Sequence, residues 1–196
     1  MRDPVGTVLL AAGRGTRFGA SPKLLSVLDG KPLVRHAAEA AVQAGLGPVV
    51  AVLGHAGAQV REALAGLPLT VVENPDYVAG LSTSLRAGLA ALPEAVTGAI
   101  VLLGDMPRVG SGLPVRLAEA FRAAPVAPAA VVPVKDGRRG NPVLLNRQRL
   151  GSALTRLTGD QGAGRLLAGR DDVLELAMDA GVSLDVDTPA ALADLL

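Results

Sequence analysis

Short runs of small and β-branched apolar residues recur along the chain, at 7–12 (TVLLAA), 48–54 (PVVAVLG), 69–74 (LTVVEN), 98–104 (GAIVLLG) and 129–134 (AAVVPV). They hold few polar positions, the pattern of strands covered on both faces. Between them the apolar positions fall at helical spacing. In 32–44, Leu33, Ala37, Ala41 and Ala44 form one stripe, with Pro32 at a first-turn position and Gly45 as the stop. Residues 57–65 stop at Gly66, 82–92 at Pro93 and 112–124 at Pro125. Strand and helix therefore alternate, which predicts right-handed β-α-β crossovers and a mostly parallel sheet with helices on both faces, a Rossmann-like three-layer α/β/α arrangement. After residue 134 the rhythm breaks into a Gly/Arg-rich turn, KDGRRGNPVLL at 135–145, which predicts a small antiparallel hairpin or an edge strand. The chain closes with a strand-like VSLDVD at 182–187 and a short helix, with Thr188 as its cap and Pro189 in its first turn. No repeat or linker divides it, so residues 1–196 are expected to form a single domain.

Composition narrows the classes of partner. The net charge is +1 and charged residues make up 19% of the chain, so no strong field draws it to nucleic acid or to an anionic membrane. Aromatic residues at 2% leave little to stack on unpaired bases. With no cysteine, disulfides, thiolate metal sites and cysteine nucleophiles are excluded. The apolar runs are far shorter than the ~20 residues of a membrane span, and no secretory leader pattern follows Met1, so a cytoplasmic location is expected.

The stretch VLLAAGRGTRFGASPKLL, residues 8–25, joins the first strand to a helix that does not begin until Pro32. Strand-to-helix loops in compact α/β units usually run about two to six residues, so this one has a task. It lacks the G-x-x-x-x-G-K-[ST] order of a Walker A loop, since Ala20 follows Gly19. It also misses the dinucleotide spacing G-x-G-x-x-G, because Gly19 falls one residue late and Pro22 interrupts the helix. Two readings stay open: a loop that wraps a triphosphate with backbone N–H groups plus Arg14, Arg17 and Lys23, or a surface loop with solvated charges.

Two aspartates complete the candidate chemistry. Asp105 follows the apolar run AIVLLG, which places its carboxylate at the carboxyl end of a strand, where open α/β sheets bind ligands. Asp187 ends the last strand-like segment in the matching way, with helix capping beside Thr188 as its other reading. Asp185 points to the opposite face. Two hard oxygen ligands from separate strands suit Mg²⁺, which takes one or two carboxylates together with waters and phosphates. The histidines, His36 and His55, read as packed or solvated groups.

The segment LAAGRGTRFGASPK resembles the signature L-A-A-G-x-x-x-R-x-G-x-x-x-K of nucleotidyltransferases. Together with NPDYVAGLSTSLRAGLAAL, GDMP, RRGNPVLL, LTGDQGAGRLL and DVDTPAALADLL, it resembles the MocA-like molybdenum cofactor cytidylyltransferases of the MobA/MocA-like superfamily over nearly the whole chain. The resemblance implies a nucleotidyltransferase fold with a nucleotide-binding half at about 1–110 and an acceptor side at about 111–196. It implies transfer of CMP from CTP to the terminal phosphate of a molybdopterin-type acceptor, with release of pyrophosphate and with Mg²⁺ on Asp105 and Asp187. Arg17 and Lys23 would hold the β- and γ-phosphates and, with Asp105, form the catalytic set. The nucleotide would lie against Leu10, Ala11, Ala12, Gly13, Arg14, Gly15 and Thr16, and against Ser82, Thr83 and Ser84, with Ser82 alternatively a helix cap. The acceptor would meet Arg138, Arg139, Asn141, Asp160 and Arg165, although an edge hairpin kept soluble by arginines explains Arg138 and Arg139 equally well. An apo-molybdoenzyme of the xanthine dehydrogenase type is the implied protein partner. Gly15, Phe18 and Met106 depart from the MocA-like pattern, as does the extra glycine in GDQGAGR, and they leave CTP against GTP open. A cytidylyl- or guanylyltransferase for a sugar or polyol phosphate and a non-catalytic cofactor carrier are the alternatives.

Overall fold

The first strand, β1 (Val5–Ala11), is buried along its whole length and forms the axis of the sheet. The computed structural model describes residues 3–15, 18, 22–178 and 188–193. The expected strand at 182–187, with Asp185 and Asp187, therefore lies outside the described residues, as do Thr16 and Arg17. A 3-10 turn at Lys23–Leu25 and a short antiparallel pair, β2 (Val27–Leu28) with β3 (Lys31–Pro32), fill the long connection to α1 (Leu33–Gln43). The chain continues through β4 (Val49–Leu53), α2 (Gly57–Ala63), β5 (Thr70–Glu73), α3 (Leu81–Ala91) and β6 (Gly98–Leu103). It then forms α4 (Gly112–Ala123), β7 (Ala130–Lys135), β8 (Arg138–Arg139), β9 (Val143–Asn146), α5 (Arg147–Thr155), α6 (Ala163–Leu166), β10 (Val173–Ala177) and α7 (Pro189–Ala193). Among the described residues no helix is long and apolar enough to cross a membrane.

The main sheet runs in the order β10-β7-β9-β6-β1-β4-β5, with β8 paired to β7. β1 is parallel to β4 on one side and to β6 on the other, so the chain steps outward through β4 and β5 and then returns across β1. Side chains alternate across the sheet because the strand period is two residues. Val8 and Leu10 pack with Val50, Val52 and Leu85 on one face, and Leu9 and Ala11 pack with Ala37, Ala51 and Leu53 on the other. Helices α3 and α5 cover the first face; α1, α2 and α4 cover the second. This is the α/β sandwich expected from the alternation of apolar runs.

Two expectations change. The segment 138–145 is not simply a hairpin at an edge: β8 forms the hairpin with β7, but β9 inserts antiparallel between β6 and β7 in the interior of the sheet. Its residues are buried, and Asn146 caps α5 by accepting from the amides of Gln148 and Arg149 at 3.1 Å each. The edge is β10 instead, parallel to β7, in a segment without a continuous apolar run. Arg147 joins α5 to the end of α3, donating to the carbonyls of Leu89, Pro93 and Val96.

Gly88 sets how closely α3 approaches the sheet. A Cβ there would lie 2.3 Å from Val8 Cγ1 and 2.8 Å from Val52 Cγ2. Gly88→Ala gains about 1 kcal/mol of helix propensity, but crowding against two β-branched strand residues costs about 1–3 kcal/mol. The expected result is a lower melting temperature; an increase would mean that α3 shifts freely on the sheet.

Candidate active site

A sheet in which the chain reverses direction of travel leaves a crevice beyond the carboxyl ends of the strands at the reversal. Here that point lies between β1 and β6. The amide of Gly104 donates to Leu10 O at 3.0 Å and that of His55 to Ala12 O at 3.2 Å, which anchors the ends of the strands around the crevice. A cleft of about 490 Å³ opens there. Its floor is Leu10, Ala12, Leu24 and Leu103, and one wall is the start of the glycine loop, Gly13, Arg14 and Gly15.

Gly15 has φ +57°, and a Cβ on it would lie 2.7 Å from Lys23 Cβ. The left-handed turn and the absent side chain together let the loop fold back over the lysine. Lys23 sits in the 3-10 turn, buried, with its Nζ donating to Asp105 Oδ2 at 2.6 Å. Asp105 stands just beyond β6, which brings two groups 82 positions apart in sequence into one ion pair. Its other oxygen, Oδ1, is buried and accepts no hydrogen bond among the described residues. A buried carboxylate oxygen without a donor is costly, and a cation or a substrate N–H or O–H group would satisfy it. This is the donor chemistry of a Mg²⁺ or Mn²⁺ site built with phosphate oxygens, so the residues present fit such an ion. Asp187, the second expected ligand, lies outside the described residues.

The opposite wall comes from the approach to α3. Asn74 donates to Thr83 Oγ1 at 2.8 Å and to Ser84 Oγ at 2.9 Å, and Thr83 Oγ1 also contacts the Gly80 carbonyl at 2.8 Å. These bonds position Tyr77, Val78, Gly80, Leu81 and Ser84 along the cleft. Ser82 does not cap α3. Its hydroxyl is fully buried and makes no hydrogen bond among the described residues, because the helix begins at Leu81 with Gly80 in the cap position. The loop at 157–160 docks on this helix, with Ser82 N–H donating to Gly159 O at 3.0 Å and Arg86 Nη1 to Leu157 O at 2.6 Å. Asp160, carried on that loop, completes the wall.

The structure thus brings Leu10, Ala12, Gly13, Arg14, Gly15, Lys23, Ser84, Asp105 and Asp160 to one cleft. Ala11 points into the core below it. Thr83 is held by Asn74 and by two carbonyls. Arg138, Arg139, Asn141 and Arg165 do not line the cleft. Arg139 is engaged by Glu175 Oε1 and the Leu167 carbonyl, each at 2.8 Å, as an edge arginine would be. Arg138 is exposed on β8 and Arg165 on α6, which begins only at Ala163. Tyr77, Val78 and Leu81 are additions that the sequence did not single out. Tyr77 is the only tyrosine of an aromatic-poor chain and follows the turn NPD, which was the available signal. Its ring lies 6.3 Å from that of His55.

The MobA-like NTP transferase domain family matches residues 7–174. The chain is 42% identical over 123 residues to the bifunctional protein GlmU of Kineococcus radiotolerans, covering 61% of this chain and 25% of GlmU. It thus spans about a quarter of the length of that relative. It is 34% identical over 195 residues to the nicotine blue oxidoreductase of Paenarthrobacter nicotinovorans, covering 96% of this chain and 95% of that protein. Among solved structures, Rv0371c of Mycobacterium tuberculosis superposes with a TM-score of 0.86 at 32% identity, over 100% of this chain and 99% of that one. A complex of Rv0371c with manganese gives 0.84 at 34% identity, over 98% of each chain.

Proposed function

Since this chain belongs to the MobA-like NTP transferase family, we propose that it transfers a nucleoside monophosphate from a nucleoside triphosphate to a phosphorylated acceptor. In the finer form of the proposal, CMP passes from CTP to the terminal phosphate of a molybdopterin-type acceptor. The observation that carries the reading is the Lys23–Asp105 pair at 2.6 Å inside a cleft bounded by the glycine loop. A triphosphate needs cations and backbone N–H groups, and a divalent ion needs a carboxylate oxygen free to bind it; this cleft offers each, Asp105 Oδ1 accepting no hydrogen bond among the described residues.

In the proposed reaction an acceptor phosphate oxygen forms a bond to the α-phosphorus while the bond from that phosphorus to the bridging β-oxygen breaks, and pyrophosphate leaves in line. With a second pKa of about 6, a phosphate is already ionised near neutral pH, so no side chain has to remove a proton. The protein's task is positioning and charge neutralisation. Lys23 and Arg14 face the phosphates, the Gly13–Gly15 backbone closes on them, and Arg17 is assigned to the β- and γ-groups with Lys23. Asp105 would hold Mg²⁺ through Oδ1, with Asp187 as the proposed second ligand. A bound divalent ion would screen the negative charge that gathers on the phosphates.

Pyrophosphate release should be measured with CTP, GTP and UTP in the presence of Mg²⁺ or Mn²⁺, with a molybdopterin-type acceptor and with sugar phosphates. Release that depends on both a nucleotide and an acceptor supports the proposal. Release with sugar phosphates alone would assign the acceptor class to the alternative. The likeness to nicotine blue oxidoreductase over nearly the whole chain supports a second reading, in which the cleft serves an oxidation–reduction. Dye reduction by a reduced nicotinamide nucleotide, without pyrophosphate release under any condition, would favour that reading.

A further inference from the structure

The two walls of the cleft differ in chemistry. The glycine-loop wall carries Arg14 and Lys23, which suit phosphates. The facing wall offers the ring of Tyr77, the apolar side chains of Val78 and Leu81, 64% and 37% exposed, and a single carboxylate on Asp160. Among the described residues no group hydrogen-bonds to the Asp160 side chain. Phosphate oxygens are negatively charged hydrogen-bond acceptors, so Asp160 does not pair with them directly, and a group that donates hydrogen bonds suits it. A carboxylate accepts hydrogen bonds and donates none, while apolar and aromatic neighbours match the faces of a flat ring.

We infer that the Tyr77–Leu81 and Asp160 wall is a specificity element that selects a planar heterocycle bearing an exocyclic amino group, which donates to the Asp160 carboxylate. The assignment rests on the transferase reading above and deepens it. Carboxylates accept from amino groups of this kind, such as the 4-amino group of cytosine, and such contacts discriminate against a ring that presents a carbonyl oxygen in the same place. The wall is also built to hold its position. The Gly159 carbonyl accepts from Ser82 N–H, and the backbone there lies so close that a Cβ on Gly80 would sit 2.2 Å from Gly159 C. The backbone beside Asp160 is therefore fixed against α3 where Asp160 lines the cleft. The amino-bearing ring has two possible sources, the base of the nucleotide and a pterin-type acceptor.

Equilibrium binding separates them, because it requires no turnover. Titration of the wild-type protein and Asp160→Asn with CTP and with UTP, which differ at the 4-amino position, tests the base. Titration with an amino-substituted pterin phosphate tests the acceptor. Asparagine keeps the shape but adds donors and removes the charge, and at this exposed position its melting temperature should match the wild type. A CTP-over-UTP preference that narrows about tenfold in Asp160→Asn places the base at the wall. An unchanged nucleotide preference with about tenfold weaker pterin binding places the acceptor there. Val78→Ser should weaken the same ligand severalfold. If Asp160→Asn moves neither by more than about twofold, the inference is overturned. Absence of pyrophosphate release from the wild type would defeat the transferase reading and still leave these titrations interpretable.

Discussion

Lys23→Met is expected to lower the rate of pyrophosphate release by about 10²–10³-fold, the scale on which single charged or hydrogen-bonding groups act in transition states that accumulate charge. Methionine retains the packing of the lysine stem under Gly15 but brings no positive charge. The loss should fall mainly on kcat, because the ammonium group neutralises charge that grows as pyrophosphate departs. Asp105 would lose the hydrogen bond from Lys23 Nζ at 2.6 Å, and its carboxylate is 21% exposed. The stability penalty is thus smaller than the ~3–5 kcal/mol seen when a fully buried pair is broken. Steady-state release, with a thermal melt to show that the variant is folded, measures the effect. Turnover close to wild type in the folded variant would remove Lys23 from the chemistry.

Gly80→Ala should have the largest structural effect. Gly80 has φ +111°, a conformation that L side chains rarely adopt, and its Cβ would meet Gly159 C at 2.2 Å, Gly159 O at 2.3 Å and Asp160 N at 2.7 Å. These are backbone atoms, so no rotamer change relieves the overlap. The loop at 157–160 must lift from α3, losing the bond from Ser82 N–H to Gly159 O. Backbone strain of about 1–3 kcal/mol and about 1 kcal/mol for the lost hydrogen bond correspond to a melting temperature lower by roughly 4–16 °C in a chain of this size. Nucleotide or acceptor affinity should fall with it, since Asp160 travels with the loop. Gly162→Ala provides the contrast. Its Cβ would meet only Leu81 Cδ2, at 2.9 Å, the end of a side chain that can turn aside. Equal melting temperatures for the two variants would mean that the loop is not fixed at Gly80.

The long connection after β1 was conspicuous in the sequence because it carries glycines, two arginines and a lysine where a short loop would suffice. Lys23 and Asp105 could each be picked out, one from a loop and one from a strand end. Of the two roles open to Ser82, capping is the one the fold excludes: serine near a helix start commonly caps it, but the residue before Leu81 is a glycine that takes the cap position, so the serine turns into the core. The basic segment at 138–139 reads equally as acceptor chemistry or as a soluble edge, because charge is visible in a sequence while its partner is not. Glu175 and the Leu167 carbonyl satisfy Arg139 from parts of the chain that folding brings alongside.

Local chemistry was enough to specify the alternation of strands and helices as far as β7, the loop too long for a simple connection, and the acid at the tip of β6. These depend on apolar period, turn residues and chain direction, all properties of neighbouring positions. Folding alone determined that β9 enters the middle of the sheet, that Lys23 meets Asp105, and that Tyr77, Leu81 and Asp160 share a wall. Those are contacts between distant segments, selected by which backbone donors remain unpaired and which surfaces interlock, and neighbouring residues carry no record of that choice.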